Sequence, residues 1–249
     1  MEFVDVHAHL NIPELDQDRE RMLKNAKKAG VIAVIDAGET DKENRKILRL
    51  SKEFPLIRPA LGHHPCSLDM GEAEKTADFI RQHKERIVAV GEIGLDYWKV
   101  NGTLDKESQN EIFGLFIDLA QELDLPVVVH SRSAGKYAIE ILKQKNAEKV
   151  CMHSFDGDFK VALEGVALGY YFSIPPSIVR NDQLQKLAEI PLENLLLETD
   201  SPYLGPSKEE KNEPANVRIA AEEIARINEL TLEEVADATT NNAKALFRI

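Results

Sequence analysis

Cysteine, net positive charge and long apolar runs are all scarce in this sequence, and each shortage removes a class of protein. The two cysteines, Cys66 and Cys151, lie far apart and form no C-x-x-C pair. They supply neither a disulfide framework nor a paired-thiol motif, and a reducing, cytoplasmic setting is expected. No stretch approaches the roughly 18–20 apolar residues of a membrane span. Residues 1–10 lack a basic stretch followed by a long apolar run, so no secretory leader is expected. The formal net charge is −12, which argues against a generic electrostatic nucleic-acid binder. A nucleic-acid substrate drawn in by bound cations or a local basic patch stays open. Low-complexity segments, linkers and short-period repeats are absent too, and nothing implies a stable protein partner.

What is present is an alternation. Apolar runs of strand length recur as FVDVH (3–7), VIAVIDAG (31–38), LIRPALGHHP (56–65), IVAVGEIG (87–94), PVVVH (126–130), KVCMH (149–153), GYYFSI (169–174) and NLLLETD (194–200). They are rich in β-branched or bulky residues, as strands covered on both faces require. Between them lie amphipathic stretches. In 105–123, Ile112, Leu115, Phe116, Leu119 and Leu123 share one helix face. Residues 18–29, 40–53, 72–84, 133–145, 158–167 and 180–189 read similarly. Pro214 opens a helix over 214–227. Thr231 and Glu234 form a capping box for a last helix over 231–246.

Eight strands alternating with helices in 249 residues predict one (β/α)8 TIM-like barrel spanning the whole chain. An open doubly wound sheet is the alternative. The polar residues favour the barrel, because they gather at the C-terminal ends of several different strands. Run 1 ends in His7 and His9, run 3 in His63 and His64, and run 4 in Glu92. Runs 5, 6 and 8 end in His130, His153 and Asp200, and only His83 among the histidines lies elsewhere.

His7 and His9 obey period two, so both side chains leave one face of an extended segment. Paired imidazoles suit a borderline cation such as Zn²⁺, Ni²⁺, Mn²⁺ or Fe²⁺. Four histidines with Glu92 and Asp200 at one mouth would be costly to bury unpaired, and bound cations would neutralise them. Six ligands exceed what one tetrahedral ion with an open position needs. They suit two divalent ions bridged by a carboxylate, drawn from Mg²⁺, Mn²⁺, Zn²⁺, Ni²⁺ or Co²⁺, that activate water and polarise the scissile group.

With these residues in place the chain resembles the TatD family of metal-dependent hydrolases, within the amidohydrolase-like barrels. The resemblance runs from residue 3 to the C-terminus, through DVHAHL (5–10), GHHP (62–65), GEIGLDYW (91–98), LPVVVHSR (125–132), HSF (153–155), ETDSPYL (198–204) and NEPANV (212–217). It implies that His7, His9 and Asp200 hold one ion, that His130 and His153 hold the other, and that Glu92 bridges. It also implies a deoxyribonuclease, often with 3′→5′ exonuclease action, with DNA as the substrate. Some relatives act on other ester or amide bonds, including deacylation of tRNA.

Roles follow for the neighbours. His64 matches the histidine before proline in the family's G-x-H-P and would contact the scissile phosphate or leaving group. His63 stands where an apolar residue is usual and reads as structural. Arg132, two residues beyond His130, points back to the mouth and suits a phosphate; a local salt bridge is its alternative role. Asp200 would also take the proton of the attacking water, with Glu198 as a partner behind the ligands. Tyr97, Trp98 and Phe155 would stack on a base or simply pack. Asn212, Glu213 and Pro214 would fix the loop after strand 8, letting Asn216 reach the site.

Departures from the family pattern bear on substrate. The usually basic loop before NEP reads SKEEKNEP here, with Glu209 and Glu210 between Lys208 and Lys211. Cys66 replaces a histidine, and SIPPSI (173–178) replaces a glycine-containing turn. A metal-dependent amide or ester hydrolase is therefore the second reading. A carboxylated lysine often bridges the metals in the wider superfamily, and Glu92 in run 4 weighs against it. A metal-binding module without catalysis is the third, and the complete ligand set with Arg132 and His64 argues against it.

Overall fold

The computed structural model describes residues 1–100 and 102–249. The strands are β1 (Phe3–Ala8), β2 (Val31–Ala37), β3 (Ile57–Leu61), β4 (Ala89–Gly94), β5 (Val127–His130), β6 (Val150–Met152), β7 (Tyr171–Ile174) and β8 (Leu195–Leu197). All are parallel, and they pair in chain order. The ring closes just beyond β8. The Asp200 amide donates to His7 O and the His9 amide to Ser201 O, each at 2.8 Å. An open sheet would leave β1 and β8 as edges, so the doubly wound alternative falls.

Each run is continuous in apolar residues because both of its faces are covered. Inside the ring, Val4, Val6, Ile35, Val128 and Leu196 pack with Leu246 and Phe247 from the C-terminal helix. Outside it, residues such as Phe3, Val34, Ile57 and Phe172 pack against the helices. Those helices are α1 (Arg19–Lys28), α2 (Asp41–Glu53), α3 (Met70–Gln82), α4 (Thr103–Glu122), α5 (Gly135–Gln144), α6 (Phe159–Ala167), α7 (Asp182–Leu187), α8 (Val217–Ile227) and α9 (Leu232–Phe247). The capping box expected at Thr231 and Glu234 is present.

Two helix expectations shift. Over 180–189 the chain makes a 3-10 turn, Pro176–Arg180, before the short α7. Asn181 starts α7 afresh, because its side chain accepts from the amides of Gln183 and Leu184. Pro214 opens a 3-10 turn, Pro214–Asn216, and α8 begins only at Val217.

Two glycines let the strand ends converge. A Cβ on Gly62 would lie 2.3 Å from Glu92 O, and one on Gly94 (φ +140°) would lie 2.1 Å from His130 O. Only glycine permits those approaches. They bring the ends of β3, β4 and β5 to one mouth.

Candidate active site

Six side chains from five strand ends converge at that mouth. His7 Nε2 and His9 Nε2 lie 3.1 Å apart. Glu92 Oε2 is 3.5 Å from the first and 3.4 Å from the second. Asp200 Oδ1 is 3.6 Å and 3.3 Å from the same nitrogens. Tetrahedral ligation at about 2.0–2.1 Å implies donor separations of about 3.3–3.4 Å, so each carboxylate oxygen stands at ligand spacing from the histidine pair. The other carboxylate oxygen, Glu92 Oε1, is 2.5 Å from His130 Nδ1. Ligand atoms of Glu92, His130 and His153 group within 4.8 Å of one another. One carboxylate thus faces two donor groups.

The remaining ring nitrogens are held from behind. His9 Nδ1 is 3.1 Å from Ala37 O. His153 Nδ1 is 2.7 Å from Glu198 Oε2, which also accepts from Ser173 Oγ at 2.5 Å. His130 Nε2 is held from the mouth wall instead, 3.2 Å from Asp96 Oδ2, and His64, Asp96 and His130 also bring ligand atoms within 4.8 Å of one another. Such acceptors fix ring orientation and tautomer, as they do behind metal-ligating histidines. Among the described residues His7 Nδ1 has no hydrogen-bond partner; its ring stacks on His153 at 3.7 Å between centroids.

Charge explains why cations fit. Burial opposes ionisation of Glu92, but the charges of His130 and His7 outweigh it and hold the carboxyl well below its usual range. Burial likewise opposes charge on His153, yet neighbouring Glu198 lifts that imidazole to about 9. Asp200 and Glu92 overcome burial at His9 and raise it. Burial, helped by the charge of His153, lowers His7 to about 4. Protons on imidazoles therefore balance the buried carboxylates. Divalent cations would displace those protons, because only neutral imidazole ligates.

The backbone beneath is tied across the ring closure. Asp5 Oδ1 accepts from the amides of His7 at 3.3 Å and Thr199 at 2.8 Å, and Asp5 Oδ2 accepts from Thr199 Oγ1 at 2.5 Å. Asp200 itself has φ +55°. That left-handed conformation costs of order 1–3 kcal/mol in most residues, less in Asp, and is typical of functional sites.

Around the ligands the mouth encloses about 850 Å³. His64 lines it, edge-on to His130 at 5.0 Å between centroids, with Nε2 3.9 Å from Glu39 Oε1. Burial lowers His64 to about 4, so its imidazole is neutral at pH 7. Arg132 also lines the mouth. Among the described residues it makes no ion pair; its guanidinium lies 5.0 Å from the centroid of the Trp98 ring. His63 points elsewhere, as expected: it stacks on Phe116 and its Nε2 meets Ser67 O at 3.0 Å.

Three proposed substrate contacts need correction. Phe155 borders the mouth but is 2 % exposed, wedged edge-on against Phe172, so its face is not free to stack. The Tyr97 hydroxyl donates to Asn110 and its ring turns to Tyr137, away from the mouth lining. Asn216 does not reach the ligands. Its amide donates to Asn212 Oδ1 at 2.8 Å, and Asn212 donates in turn to Thr199 O and Tyr203 O.

A family model of TatD-related DNases matches residues 4–248. The chain belongs to the TatD-related DNase family. Deoxyribonuclease TATDN3 of Homo sapiens is 44% identical over 257 aligned residues, covering 98% of this chain and 94% of that protein. The uncharacterized metal-dependent hydrolase YabD of Bacillus subtilis is 38% identical and covers 98% of each chain. The crystal structure of YjjV, a TatD homolog from Escherichia coli, superposes with a TM-score of 0.90 at 29% identity, over 99% of this chain and 98% of that one. This TatD chain is a hydrolase with the TIM-like barrel fold.

Several TatD site residues escaped sequence reasoning. Asp96, Glu39 and Tyr203 all line the mouth. Asp36 fixes the turn after His9 by accepting from the Leu10 amide and Asn11 Nδ2. Asp5 and Asp36 had one available signal, an aspartate inside an otherwise apolar strand, where a buried carboxylate demands a partner; Asp96, Glu39 and Tyr203, outside the strands, had none.

Proposed function

We propose that this chain is a divalent-metal-dependent deoxyribonuclease that hydrolyses phosphodiester bonds from a 3′ end with two cations. The single observation that carries the reading is Glu92, whose two carboxylate oxygens face separate donor groups, His7 with His9 and His130. His7, His9, Asp200 and Glu92 would hold one cation, and Glu92, His130 and His153 the other. Cations there would supply Lewis acidity and lower the pKa of water.

The protein's own groups complete the chemistry. Asp200 accepts the proton of the attacking water, the most exposed of the carboxylates in this ligand cluster. Neutral His64 donates a hydrogen bond to a phosphate oxygen or the leaving group. Arg132, free of ion pairs, contacts the phosphate with a planar fork. The 3′ polarity follows the resemblance to TatD nucleases. The free thiols of Cys66 and Cys151 support a cytoplasmic location. Among the described residues no helix is long and apolar enough to cross a membrane.

The test is nucleotide release from single-stranded DNA across Mg²⁺, Mn²⁺, Co²⁺, Ni²⁺ and Zn²⁺. Activity that chelator and Glu92→Ala each abolish supports the proposal; no cleavage with any of these ions overturns it. The acidic mouth, with Glu39, Asp96 and Asp156 on its walls, favours one second reading: hydrolysis of a less anionic ester or amide. A panel of carboxylic esters, lactones and phosphodiesters separates the two.

A further inference from the structure

Among the described residues, the exposed aromatic side chains are Trp98, Tyr137 and Tyr203, at 65 %, 50 % and 55 % exposure. All three follow strand C-termini, so they lie on the catalytic face. Trp98 comes after β4, Tyr137 sits at the start of α5, and Tyr203 comes after β8. Trp98 is presented by a rigid turn, because Asp96 Oδ1 accepts from the amides of Trp98 and Lys99. Tyr137 and Phe159 line a cleft of about 590 Å³ formed by residues at the starts of α5 and α6 and from α7. Phe155, Asp156 and Gln183 line both this cleft and the mouth, so the two are continuous.

The cleft has aromatic walls but little net charge. Lys136 and Lys186 line it together with Asp156 and Asp158. Each lysine already pairs with a helix neighbour, Lys136 with Glu140 and Lys186 with Glu189. Cations without an ion pair stand nearer the ligands, at Lys99 and Arg132.

We propose that this cleft is the path of the single strand upstream of the scissile bond, and that stacking on Tyr137 in the cleft and on Trp98, which stands outside its lining beside Arg132 of the mouth, holds the strand, with phosphate contacts secondary. The proposal rests on the nuclease reading. Its occupant is a single strand because a duplex hides the faces of its bases, whereas a splayed strand offers one per nucleotide. Stacking also reconciles a nucleic-acid substrate with a net charge of −12.

The experiment is fluorescence anisotropy with a hydrolysis-resistant phosphorothioate strand of about 12 nucleotides, a length typical of such sites. Turnover of the ordinary strand is measured alongside. Trp98→Ala and Tyr137→Ala, both at exposed positions, are each expected to weaken strand binding about 5- to 150-fold, the range for loss of one stacked base. Lys136→Gln with Lys186→Gln should change it by less than about threefold. With Lys99 and Arg132 the unpaired cations among the described residues that line the mouth and cleft, the log–log salt slope should be no steeper than about −1.5, at about 0.7 per phosphate contact. Unchanged binding in both aromatic variants overturns the proposal. So does a slope steeper than about −3 with large losses in the lysine variant. A strand that binds in this pattern but is never cut leaves the path standing and removes the nuclease reading; cleavage with aromatic-independent binding does the reverse.

Discussion

Glu198 Oε2 lies 2.7 Å from His153 Nδ1 and accepts from Ser173 Oγ as well, so a fully buried carboxylate sets the orientation of the His153 ring. Nε2 is thereby left for a cation. Glu198→Gln keeps the shape and removes the charge. It should lower divalent-metal affinity about 10- to 100-fold, the usual cost of losing such a partner. Calorimetric metal titration, with circular dichroism to show retained folding, checks this. Unchanged affinity would deny Glu198 the positioning role.

Asp36 makes stability depend on pH. Burial pushes its carboxyl up to about 6, against 3.8 as the reference, although Asn11 and the Leu10 amide hydrogen-bond to it. A folded-state pKa raised above the unfolded one means that the native chain binds the proton more tightly. The associated stability is full below about pH 4 and is lost as pH rises through about 6. One such proton contributes a slope of at most about 1.4 kcal/mol per pH unit. Asp36→Asn should flatten the denaturation profile between those values; an unaltered slope would contradict the assignment.

The adjacent histidines 63 and 64 should separate cleanly. His64→Ala removes a hydrogen bond to a charged substrate group, worth about 1.5–3 kcal/mol, so kcat/KM should fall about 10- to 150-fold. His63→Leu removes the bond to Ser67 O and the ring stack on Phe116 and should cost about 0.5–1.5 kcal/mol of stability for the bond, with kcat/KM within about threefold. Steady-state kinetics and chemical denaturation on both variants decide. Equal kinetic losses would mean that the mouth is misassigned.

Arg132 offers a test of geometry against charge. Its guanidinium lies near the Trp98 ring and is planar, which an ammonium is not. Arg132→Lys should therefore recover little of the rise in KM caused by Arg132→Ala. Full rescue by lysine would reduce the contact to a point charge.

The barrel was legible because each strand is covered on both sides, which leaves β-branched runs such as PVVVH with no polar interruption until the ligand. The cluster of histidines and carboxylates at the mouth was legible for a related reason: polarity at a strand end has few structural uses. The residues behind them were not. Asp96 meets His130 from 34 positions away, and the His9 ring meets Ala37 O from 28. Contacts made across a closed ring leave no local spacing to read. Aromatic roles stayed open between stacking and packing for another reason. Phe155, Tyr97 and Trp98 look alike beside their motifs, and only packing shows that Trp98 faces solvent while Phe155 plugs the wall.

Glu92 joining two cation sites is the central feature of the proposed mechanism. The direct measurement is the number of Mn²⁺ or Zn²⁺ ions bound per chain, by calorimetry with elemental analysis, in the wild-type protein and in Glu92→Ala. Two ions in the wild type, falling to one or none in the variant, is the predicted result. A single ion in the wild type, or two ions retained without Glu92, would contradict it.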